Sequence, residues 1–332
     1  MSAGDAAGVE SAAGPVSAAG AGDAAGSAGE RGRRQPRVVV VGDALIDELR
    51  DEQGIREIVG GAALNVAVGL RRLGVPATLI AMVGDDPAGA RIRAHLRDHD
   101  VELIATISPL GTSRAVSTRD AGGEPVYVFN AAAQARRIHF ADPARDAIAD
   151  AAAVVISCFP FDDGPQTAEL AEALAETAAI IAIDANPRAG MLHDRAGFVA
   201  GFEALAPDAA LLKVGDDDAE LLYGATIDQL RQRLIALGTP VVVATRGAGG
   251  ATIDAEGITV SAPISQLPGP IIDTMGAGDA TLSSLVAELV LHGAPSDHAG
   301  WRAALGGAMD IAAATCRAEG ALLRQPVARE AP

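Results

Sequence analysis

The sequence has few aromatic residues and few cysteines for its length. Only 3% of its 332 residues are Phe, Trp or Tyr although 49% are hydrophobic, so a buried core must consist mainly of Ala, Val, Leu and Ile. The two cysteines, Cys158 and Cys316, form no Cys-x-x-Cys pair. This arrangement excludes a disulfide scaffold and a cysteine-rich zinc site, and it favours a cytoplasmic location, where thiols stay reduced.

A basic surface and a long apolar run are also missing. The chain has 26 Lys and Arg against 43 Asp and Glu, which gives a formal net charge of −17. Nucleic acids and anionic membranes attract basic surfaces, so this balance predicts neither as a partner. No apolar run approaches the roughly 20 residues of a membrane span. The sequence also contains no P-loop pattern and no Gly-x-Gly-x-x-Gly after its first predicted strand, which disfavours P-loop enzymes and dinucleotide oxidoreductases.

Residues 1–36 are almost all Ala, Gly and Ser with scattered acids. Such a segment has little apolar surface to bury and cannot offset the entropy that ordering would cost. It also lacks the basic start and apolar centre of a signal peptide. We therefore predict a disordered tail over 1–36, a single folded domain over 37–324 and a C-terminal tail over 325–332.

From Arg37 onward, short β-branched runs alternate with Ala-rich helical stretches, which is typical of a doubly wound α/β sheet. Predicted strands cover 38–41, 78–83, 154–157, 180–183, 210–213 and 241–245. Predicted helices cover 63–73, 87–99, 166–177, 217–222, 227–237, 276–291 and 298–316. Asp86 is predicted to cap the second of these helices, and Trp301 is predicted to lie in the core.

One segment interrupts this alternation. Residues 113–119 and 125–130 read as strands, and the turn-forming residues between them predict a β-hairpin. We interpret this hairpin as a lid that covers a site on the main sheet, because a reacting group in such a site must be shielded from water. An ordinary hairpin at the sheet edge is the alternative.

The most informative stretch, Ile271–Ala280, reads Ile-Ile-Asp-Thr-Met-Gly-Ala-Gly-Asp-Ala. An apolar strand end leads into small residues and then into a helix. The backbone N–H groups of Gly276, Ala277 and Gly278 can therefore approach an anion closely, and the helix dipole adds positive charge. This chemistry suits a phosphoryl group in transfer.

Asp279 lies in the first turn of that helix, where it can accept the proton of an attacking hydroxyl. The helix start favours the ionised carboxylate and so predicts a weak base. A loose phosphoryl-transfer transition state tolerates a weak base, because the nucleophile then needs little activation. A simple helix cap is the alternative role for Asp279.

Asp273–Asp279 resembles the C-terminal signature of the ribokinase-like (PfkB-type) carbohydrate kinases, and the chain as a whole is most similar to their fructokinase-type members. Gly60-Gly61-Ala62-Ala63-Leu64-Asn65, followed by Gly74 and Gly84, resembles the N-terminal signature of that family. Two signatures in the right order are far more specific than either alone. The resemblance spans about 38–323 and implies a three-layer αβα sheet with a small β-hairpin lid, ATP as phosphate donor and a sugar as acceptor.

The resemblance also assigns sugar-binding roles to Asp43, Asp47, Gly60, Gly61 and Asn65. The carboxylates and the amide would hydrogen-bond the sugar hydroxyls at the strand ends, where open α/β sheets bind ligands. The glycines would let the backbone approach the sugar. A helix cap is the alternative for Asn65.

On the nucleotide side, the resemblance implies contacts from Arg188, from Lys213 and from a glycine-rich turn (Thr245, Gly247, Gly249 and Gly250). Arg188 would donate to phosphate oxygens, with a surface salt bridge as its alternative. A simple hairpin turn is the alternative for residues 245–250. The resemblance further implies Mg²⁺ and leaves a monovalent cation open.

Asp218 stands where the family has a glutamate of its metal network, and Gly215 stands where it has Asn or Ser. Asp218 is thus a candidate residue of the Mg²⁺ site. Its alternative role is that of an acidic residue at a helix start. Members of the family often pair subunits through lid strands, and the alternating run at 126–129 offers such an edge for a homodimer.

These observations predict an ATP-dependent kinase that transfers the γ-phosphate to a hydroxyl of a small sugar. Fructose is the first candidate, because Gly42–Asp47 (Gly-Asp-Ala-Leu-Ile-Asp) is close to the fructokinase start. The residues after Asp279 and after Asn130 depart from the fructokinase pattern, so the sugar stays open. Two alternatives remain: a nucleoside kinase of the same fold, and a non-catalytic protein that senses sugars or nucleotides.

Overall fold

The computed structural model describes residues 36–51, 54–118 and 126–326. The predicted N-terminal tail except its last residue, the turn of the predicted lid hairpin and most of the predicted C-terminal tail lie outside this part. The strands are β1 Val38–Gly42, β2 Leu45–Asp51, β3 Gly54–Gly60, β4 Ala77–Gly84, β5 Glu102–Ser108, β6 Arg114–Thr118, β7 Val126–Phe129, β8 Ala153–Ser157, β9 Ile180–Asp184, β10 Leu211–Gly215, β11 Val241–Thr245, β12 Ala251–Ala255 and β13 Ile258–Ala262.

The helices alternate with these strands through most of the chain. They are α1 Ala62–Arg72, α2 Pro87–Asp98, α3 Ala131–Gln134, α4 Asp142–Ala149, α5 Gly164–Ala175, α6 Arg195–Leu205, α7 Asp216–Asp218, α8 Ile227–Ala236, α9 Ala277–His292 and α10 His298–Thr315. A π-helical turn, Ala219–Tyr223, follows α7, and a 3₁₀ turn, Gly247–Gly249, joins β11 to β12. Within the described ranges, no helix is long and apolar enough to cross a bilayer.

A nine-stranded sheet in the order β13-β12-β11-β10-β9-β8-β1-β4-β5 forms the centre of the fold. The strands from β11 to β5 in this order are parallel, and β12 and β13 extend the sheet antiparallel. β1, β4 and β8 are buried along their whole length, as expected for parallel strands covered by helices on both faces. The predicted α/β architecture is confirmed, and all six predicted strands are present.

Two hydrophobic cores lie on opposite faces of this sheet. One contains residues of α1, α2, α9 and α10, including Trp301, which is buried as predicted. The other contains residues of α4, α5, α6 and α8. Five of the six phenylalanines lie in this second core, and four of them form a cluster in which Phe161 makes edge-to-face contacts with Phe159, Phe198 and Phe202 at ring-centroid distances of 5.3–5.8 Å. The scarce aromatic residues are therefore concentrated at one place.

The lid differs from the predicted hairpin. β6 and β7 do pair antiparallel, but they form only half of a four-stranded sheet in the order β3-β2-β6-β7. β2 pairs antiparallel with β3 and parallel with β6. The sequences of β2 (Leu-Ile-Asp-Glu-Leu-Arg-Asp) and β3 (Gly-Ile-Arg-Glu-Ile-Val-Gly) lack a continuous apolar run, because charged residues interrupt both. β3 pairs with its sequence neighbour β2, and β2 also pairs with β6, which is distant in sequence.

Three helices, α3, α4 and α6, were not predicted from local sequence. α4 buries only Ala144 and Ile148, and α6 contains Gly197 and Gly201, so neither has the predicted helical pattern. Asp86 behaves as predicted: it caps α2 by accepting from the backbone N–H of Gly89 at 2.8 Å.

The phenylalanine cluster leads to a stability prediction. We expect Phe161→Ala to lower the free energy of unfolding by about 3–5 kcal/mol, because it opens a cavity between three rings. Phe161→Leu keeps most of the volume and should lose much less. Denaturant unfolding of the two variants measures the difference, and equal losses would contradict a packing role for the ring.

Candidate active site

Polar side chains converge at the carboxyl ends of the parallel strands, where open α/β sheets bind ligands. Asp43 follows β1, Asp184 ends β9 and Lys213 lies near the end of β10. The helices α1 and α9 begin at the same edge: the backbone N–H of Ala63 donates to Asp43 Oδ1 at 3.0 Å, and Asn65 contacts Asp279. The two sequence signatures therefore meet in space.

The start of α9 is built around a glycine in a left-handed conformation. Gly276 has φ +76°, and a Cβ at this position would lie 2.0 Å from the carbonyl oxygen of Ala321. The N–H of Ala277 donates to the carbonyl of Thr274 at 3.3 Å, whereas the N–H groups of Gly276 and Gly278 have no hydrogen-bond partner among the described residues. Those two N–H groups are the ones that remain available to an anion.

Asp279 is buried in the first turn of α9, with 7% of its surface exposed. Its Oδ2 accepts a hydrogen bond from Asn65 Nδ2 at 2.9 Å. Burial raises the pKa of Asp279 to about 6, with a contribution from Asp184, while the Asn65 hydrogen bond, Lys213 and Arg188 oppose the rise. The expectation of an unusually weak base is wrong, because burial raises the pKa of this carboxylate.

The alternative capping roles are also excluded by the geometry. The N-cap of α9 is Gly276, and no side chain caps this helix. The N-cap of α1 is Gly61, so Asn65 lies beyond the capping position, and its amide faces Asp279 instead.

Close packing of α1 against α9 sets the distance between Asn65 and Asp279. A Cβ at Gly69 would lie 2.6 Å from Ser283 Oγ, so a side chain at this position would push the helices apart. Ser283 Oγ also donates to the backbone carbonyl of Asp279 at 2.7 Å.

Asp43 and Asp47 lie on the lid side of the site. Burial raises the pKa of Asp43, although the N–H of Ala63 opposes this rise. Burial, reinforced by the charge of Asp43, raises the pKa of Asp47 to about 6. Gly60 and Gly61 accommodate these two residues, because a Cβ would lie 2.2 Å from Asp47 Oδ2 at Gly60 and 2.7 Å from the Asp43 carbonyl at Gly61. The glycines thus let the backbone pack against the two aspartates.

Sequence reasoning missed Arg136 and Cys158, which line a small cavity together with Asp43. Cys158 follows β8, so the rule about strand carboxyl ends could have located it. Burial raises the pKa of its thiol to about 12, which keeps the thiol protonated and inert. Arg136 follows the lid in a stretch without any motif, and no signal in the sequence identifies it.

Asp184 at the end of β9 pairs with the only lysine in the chain. Lys213 Nζ donates to Asp184 Oδ2 at 2.8 Å, and both side chains are buried. Burial alone would lower the pKa of Lys213, but Asp184 and Asp218 raise it overall, so the ammonium stays charged. A Cβ at Gly278 would lie 3.2 Å from Nζ, which places this positive charge against the start of α9.

Asp218 lies beside this pair and turns back onto the backbone. Its Oδ2 accepts from the N–H of Gly215 at 2.7 Å. Part of its environment is therefore that of an acidic residue at a helix start, which was the alternative role for Asp218. Burial and the charge of Asp184 raise the pKa of Asp218 to about 7. In the described part of the chain, no group of three or more His, Cys, Asp and Glu side chains is arranged to hold a metal ion.

Arg188 is exposed in the cleft, and none of the described residues forms an ion pair or hydrogen bond with its side chain. The alternative role of Arg188, a surface salt bridge, is therefore not seen among the described residues. Partial desolvation in the cleft lowers the pKa of the guanidinium, but nearby acidic groups, among them Asp279 and Asp43, raise it overall. Arg188 thus presents a free positive charge between the sides of the site that hold Asp43 and Asp279.

The glycine-rich turn after β11 is a tight connection between antiparallel strands. Thr245 pairs with Ala251, Gly247 has φ +46°, and a Cβ at Gly250 would lie 2.2 Å from the carbonyl of Ala262. The backbone of this segment is therefore that of a hairpin turn, which was the alternative considered for it. A Cβ at Gly247 would contact nothing within 4 Å, so this turn leaves open space beside it.

Comparison with known proteins identifies the family. A family model described as pfkB family carbohydrate kinase matches residues 35–327. The chain belongs to this family. Two fructokinases are among the relatives of this pfkB kinase. The fructokinase of Rhizobium leguminosarum bv. trifolii is 28% identical over 264 residues, covering 76% of the chain and 79% of the relative. The fructokinase of Klebsiella pneumoniae is 28% identical over 301 residues, covering 87% of the chain and 96% of the relative.

Solved structures of this family have the same fold. Aminoimidazole riboside kinase from Salmonella enterica, complexed with aminoimidazole riboside and an ATP analog, has a TM-score of 0.72 and 25% identity, covering 86% of the chain and 95% of that structure. Fructokinase from Vibrio cholerae O395 with fructose, ADP and calcium ion has a TM-score of 0.73 and 24% identity, covering 87% of the chain and 95% of that structure. The predicted family and fold are confirmed.

The buried carboxylate of Asp279 leads to a prediction about stability. Its pKa in the folded protein, about 6, lies above 3.8, so burial of the charge costs nothing at low pH and costs most above pH 6. We expect Asp279→Asn to raise the free energy of unfolding at pH 7.5 by roughly 2–3 kcal/mol, and the gain to vanish near pH 4. The amide oxygen of Asn can still accept from Asn65.

Thermal unfolding at both pH values measures this effect. The exposed Asp310→Asn on α10 is the matched control and should change the midpoint at neither pH. An Asp279→Asn variant that is no more stable than the parent at pH 7.5 would contradict the raised pKa.

Proposed function

We propose that this pfkB kinase transfers the γ-phosphate of ATP to a primary hydroxyl of a small sugar, with a fructose-like sugar as the first candidate. The observation that carries this proposal is the buried Asp279 carboxylate at the glycine-flanked start of α9. It shares the site with the aspartates of the lid side and with the positive charges of Lys213 and Arg188. The fructokinase relatives support the choice of sugar.

The acceptor sugar would bind under the lid. Asp43 and Asp47 supply carboxylate oxygens for its hydroxyls, and Asn65 Oδ1 supplies an amide oxygen, which is buried without a partner in the described structure. A polyol suits these groups because each hydroxyl can donate to one of them. Gly60 and Gly61 position the two aspartates by allowing the backbone to pack against them.

ATP would bind on the opposite side of Asp279. Lys213 and Arg188 supply positive charge for the phosphates, and the turn formed by Thr245, Gly247, Gly249 and Gly250 provides open space for the nucleotide. The free N–H groups at Gly276 and Gly278 would stabilise the charge that develops on the transferred group. Ala277 would contribute less, because its N–H is engaged with Thr274.

In the proposed reaction, the acceptor hydroxyl attacks the γ-phosphorus in line, and Asp279 accepts its proton. A pKa of about 6 leaves this carboxylate mostly ionised at neutral pH, yet more basic than a free aspartate. The oxygen that Asn65 does not hold is the one free to take the proton. Positioning and charge stabilisation supply most of the rate enhancement in such transfers.

Magnesium would neutralise the β- and γ-phosphates when bound with ATP. Mg²⁺ in kinases is held by one or two carboxylates together with phosphate oxygens, and Asp218 beside the Lys213–Asp184 pair fits that donor set. The use of a monovalent cation is left open by this proposal. The two unpaired thiols and the use of ATP support a cytoplasmic location.

A nucleoside kinase is the second candidate. The similarity to aminoimidazole riboside kinase, at 25% identity, supports it. A non-catalytic sensor would have no need of a base, and the environment of Asp279 argues against it.

Turnover measurements test the proposed function. We expect ATP-dependent phosphorylation in a panel of fructose, ribose, adenosine and aminoimidazole riboside, with fructose used best. Asp279→Asn should lower kcat by at least ~10²-fold, on the scale of losing a general base, while the protein stays folded. Near-full activity in this variant would refute the role of Asp279, and absence of turnover with every acceptor would favour the sensor.

We also propose that the protein forms a homodimer through its lid strands. Ile55 on β3 and Val128 on β7 are 64% and 59% exposed, which leaves apolar side chains on both edge strands of the lid sheet. Val128→Glu should therefore convert a dimer into a monomer in sedimentation experiments, whereas Ile235→Glu, an exposed position on α8, should not. A wild-type protein that sediments as a monomer would refute this proposal.

A further inference from the structure

The amide of Asn65 has one satisfied end and one unsatisfied end. Its Nδ2 donates to Asp279 Oδ2 at 2.9 Å, and each of the two residues is only 7% exposed. A carboxylate can only accept hydrogen bonds, so the NH₂ side of the amide must face Asp279. Oδ1 then lies on the other side of the amide, where it is buried and has no partner among the described residues.

The contact between these two side chains is imposed by the helices that hold them. Gly69, one turn after Asn65 on α1, leaves space for Ser283, one turn after Asp279 on α9. Ser283 Oγ bonds to the carbonyl of Asp279 and also approaches that of Val66, at 3.4 Å. The position of the amide relative to the carboxylate is therefore fixed by backbone packing and does not depend on a flexible loop.

We propose that Asn65 is a positioning residue for Asp279: its Nδ2 holds one carboxylate oxygen so that the other faces the acceptor hydroxyl, while its Oδ1 accepts from a second hydroxyl of the same substrate. One amide thus connects substrate recognition with the orientation of the base. This inference rests on the proposed function, because it assumes that an acceptor alcohol binds beside Asp279.

The charges around Asp279 make this hydrogen bond important. Asp184 from β9 faces it with a like charge, Lys213 from β10 and Arg188 after β9 face it with opposite charge, and the protonated thiol of Cys158 after β8 lies nearby. Among these influences, the hydrogen bond from Asn65 opposes the effect of burial most strongly. Its loss should make the carboxylate harder to ionise and free to rotate.

A substrate hydroxyl on Oδ1 would strengthen the arrangement. Hydrogen bonds in a chain polarise one another, so donation into Oδ1 makes the NH₂ group a better donor to Asp279. A correctly placed acceptor would then stabilise the ionised base at the moment when the base is needed.

The pH dependence of kcat and KM tests the proposal, with Asn65→Ala and Asn65→Asp as the variants. Asn65→Ala removes both ends of the amide. Asn65→Asp keeps an oxygen for the substrate but replaces the donor with a like charge beside Asp279. We expect the acid limb of the kcat profile to move to higher pH in both variants, and further in Asn65→Asp.

At pH 6, kcat should fall about tenfold in Asn65→Ala and recover above the new midpoint, because a hydrogen bond to a charged group has roughly this effect on a pKa. A residue that only binds sugar would raise KM and leave the acid limb unchanged. That result would overturn the proposal.

A remote pair of variants guards against a folding artefact at Asn65. Gly69→Ala should push α1 away from α9 and shift the acid limb in the same direction, although Gly69 contacts neither the base nor the proposed substrate groups. Adding Ser283→Gly makes room for the new methyl group and should restore the parental profile. An unshifted limb in Gly69→Ala, with unfolding behaviour that shows the helices have moved, would count against positioning.

An experiment without turnover separates this inference from the proposed function. The stabilisation produced by Asp279→Asn at pH 7.5 should be larger in the Asn65→Ala background than in the parent, since the unheld carboxylate is more costly to ionise. Equal stabilisation in both backgrounds would overturn the role of Asn65 even in an active kinase. Inactivity with every acceptor, combined with unequal stabilisation, would instead refute the proposed function and leave the coupling intact.

Discussion

The hydrogen bond between Asn65 and Asp279 is the interaction on which the site depends, because it joins residues that lie 214 positions apart in sequence. It forms only because α1 and α9 approach closely at Gly69 and Ser283. Both helices begin with a glycine whose positive φ no other residue adopts easily, Gly61 for α1 and Gly276 for α9. Backbone geometry thus determines where the reactive carboxylate lies.

Around this contact the protein accumulates negative charge in a buried place. Asp43, Asp47, Asp218 and Asp279 all have raised pKa values, and burial is the first cause in each case. Such an arrangement lowers stability at neutral pH, as is common where function requires charges in fixed positions. The free guanidinium of Arg188 offsets part of this charge until a substrate arrives.

Much of the fold could be predicted from sequence, because parallel strands buried on both faces appear as short runs of valine and isoleucine. β2 and β3 could not, since charged residues interrupt both and β2 also pairs with the distant strand β6. In the site, the two glycine-containing signatures pointed to Asp279 and Asn65, and the resemblance of the segment after the first strand pointed to Asp43 and Asp47. The partners of these residues stayed hidden: Arg136 lies in a stretch without a motif, and the pairing of Asp184 with Lys213 depends on the order of β9 and β10 in the sheet. The basicity of Asp279 also depends on burial, which local sequence does not reveal.

The buried pair of Lys213 and Asp184 has a consequence for the outside of the molecule. Since the chain has no other lysine, every positive side chain on its surface that is charged at neutral pH is an arginine. Guanidinium groups keep their proton well beyond pH 11, whereas ammonium groups lose theirs near pH 10.4. The exterior ion pairs of this protein, such as Arg233 with Glu203, therefore persist in alkaline solutions that would neutralise a lysine-rich surface.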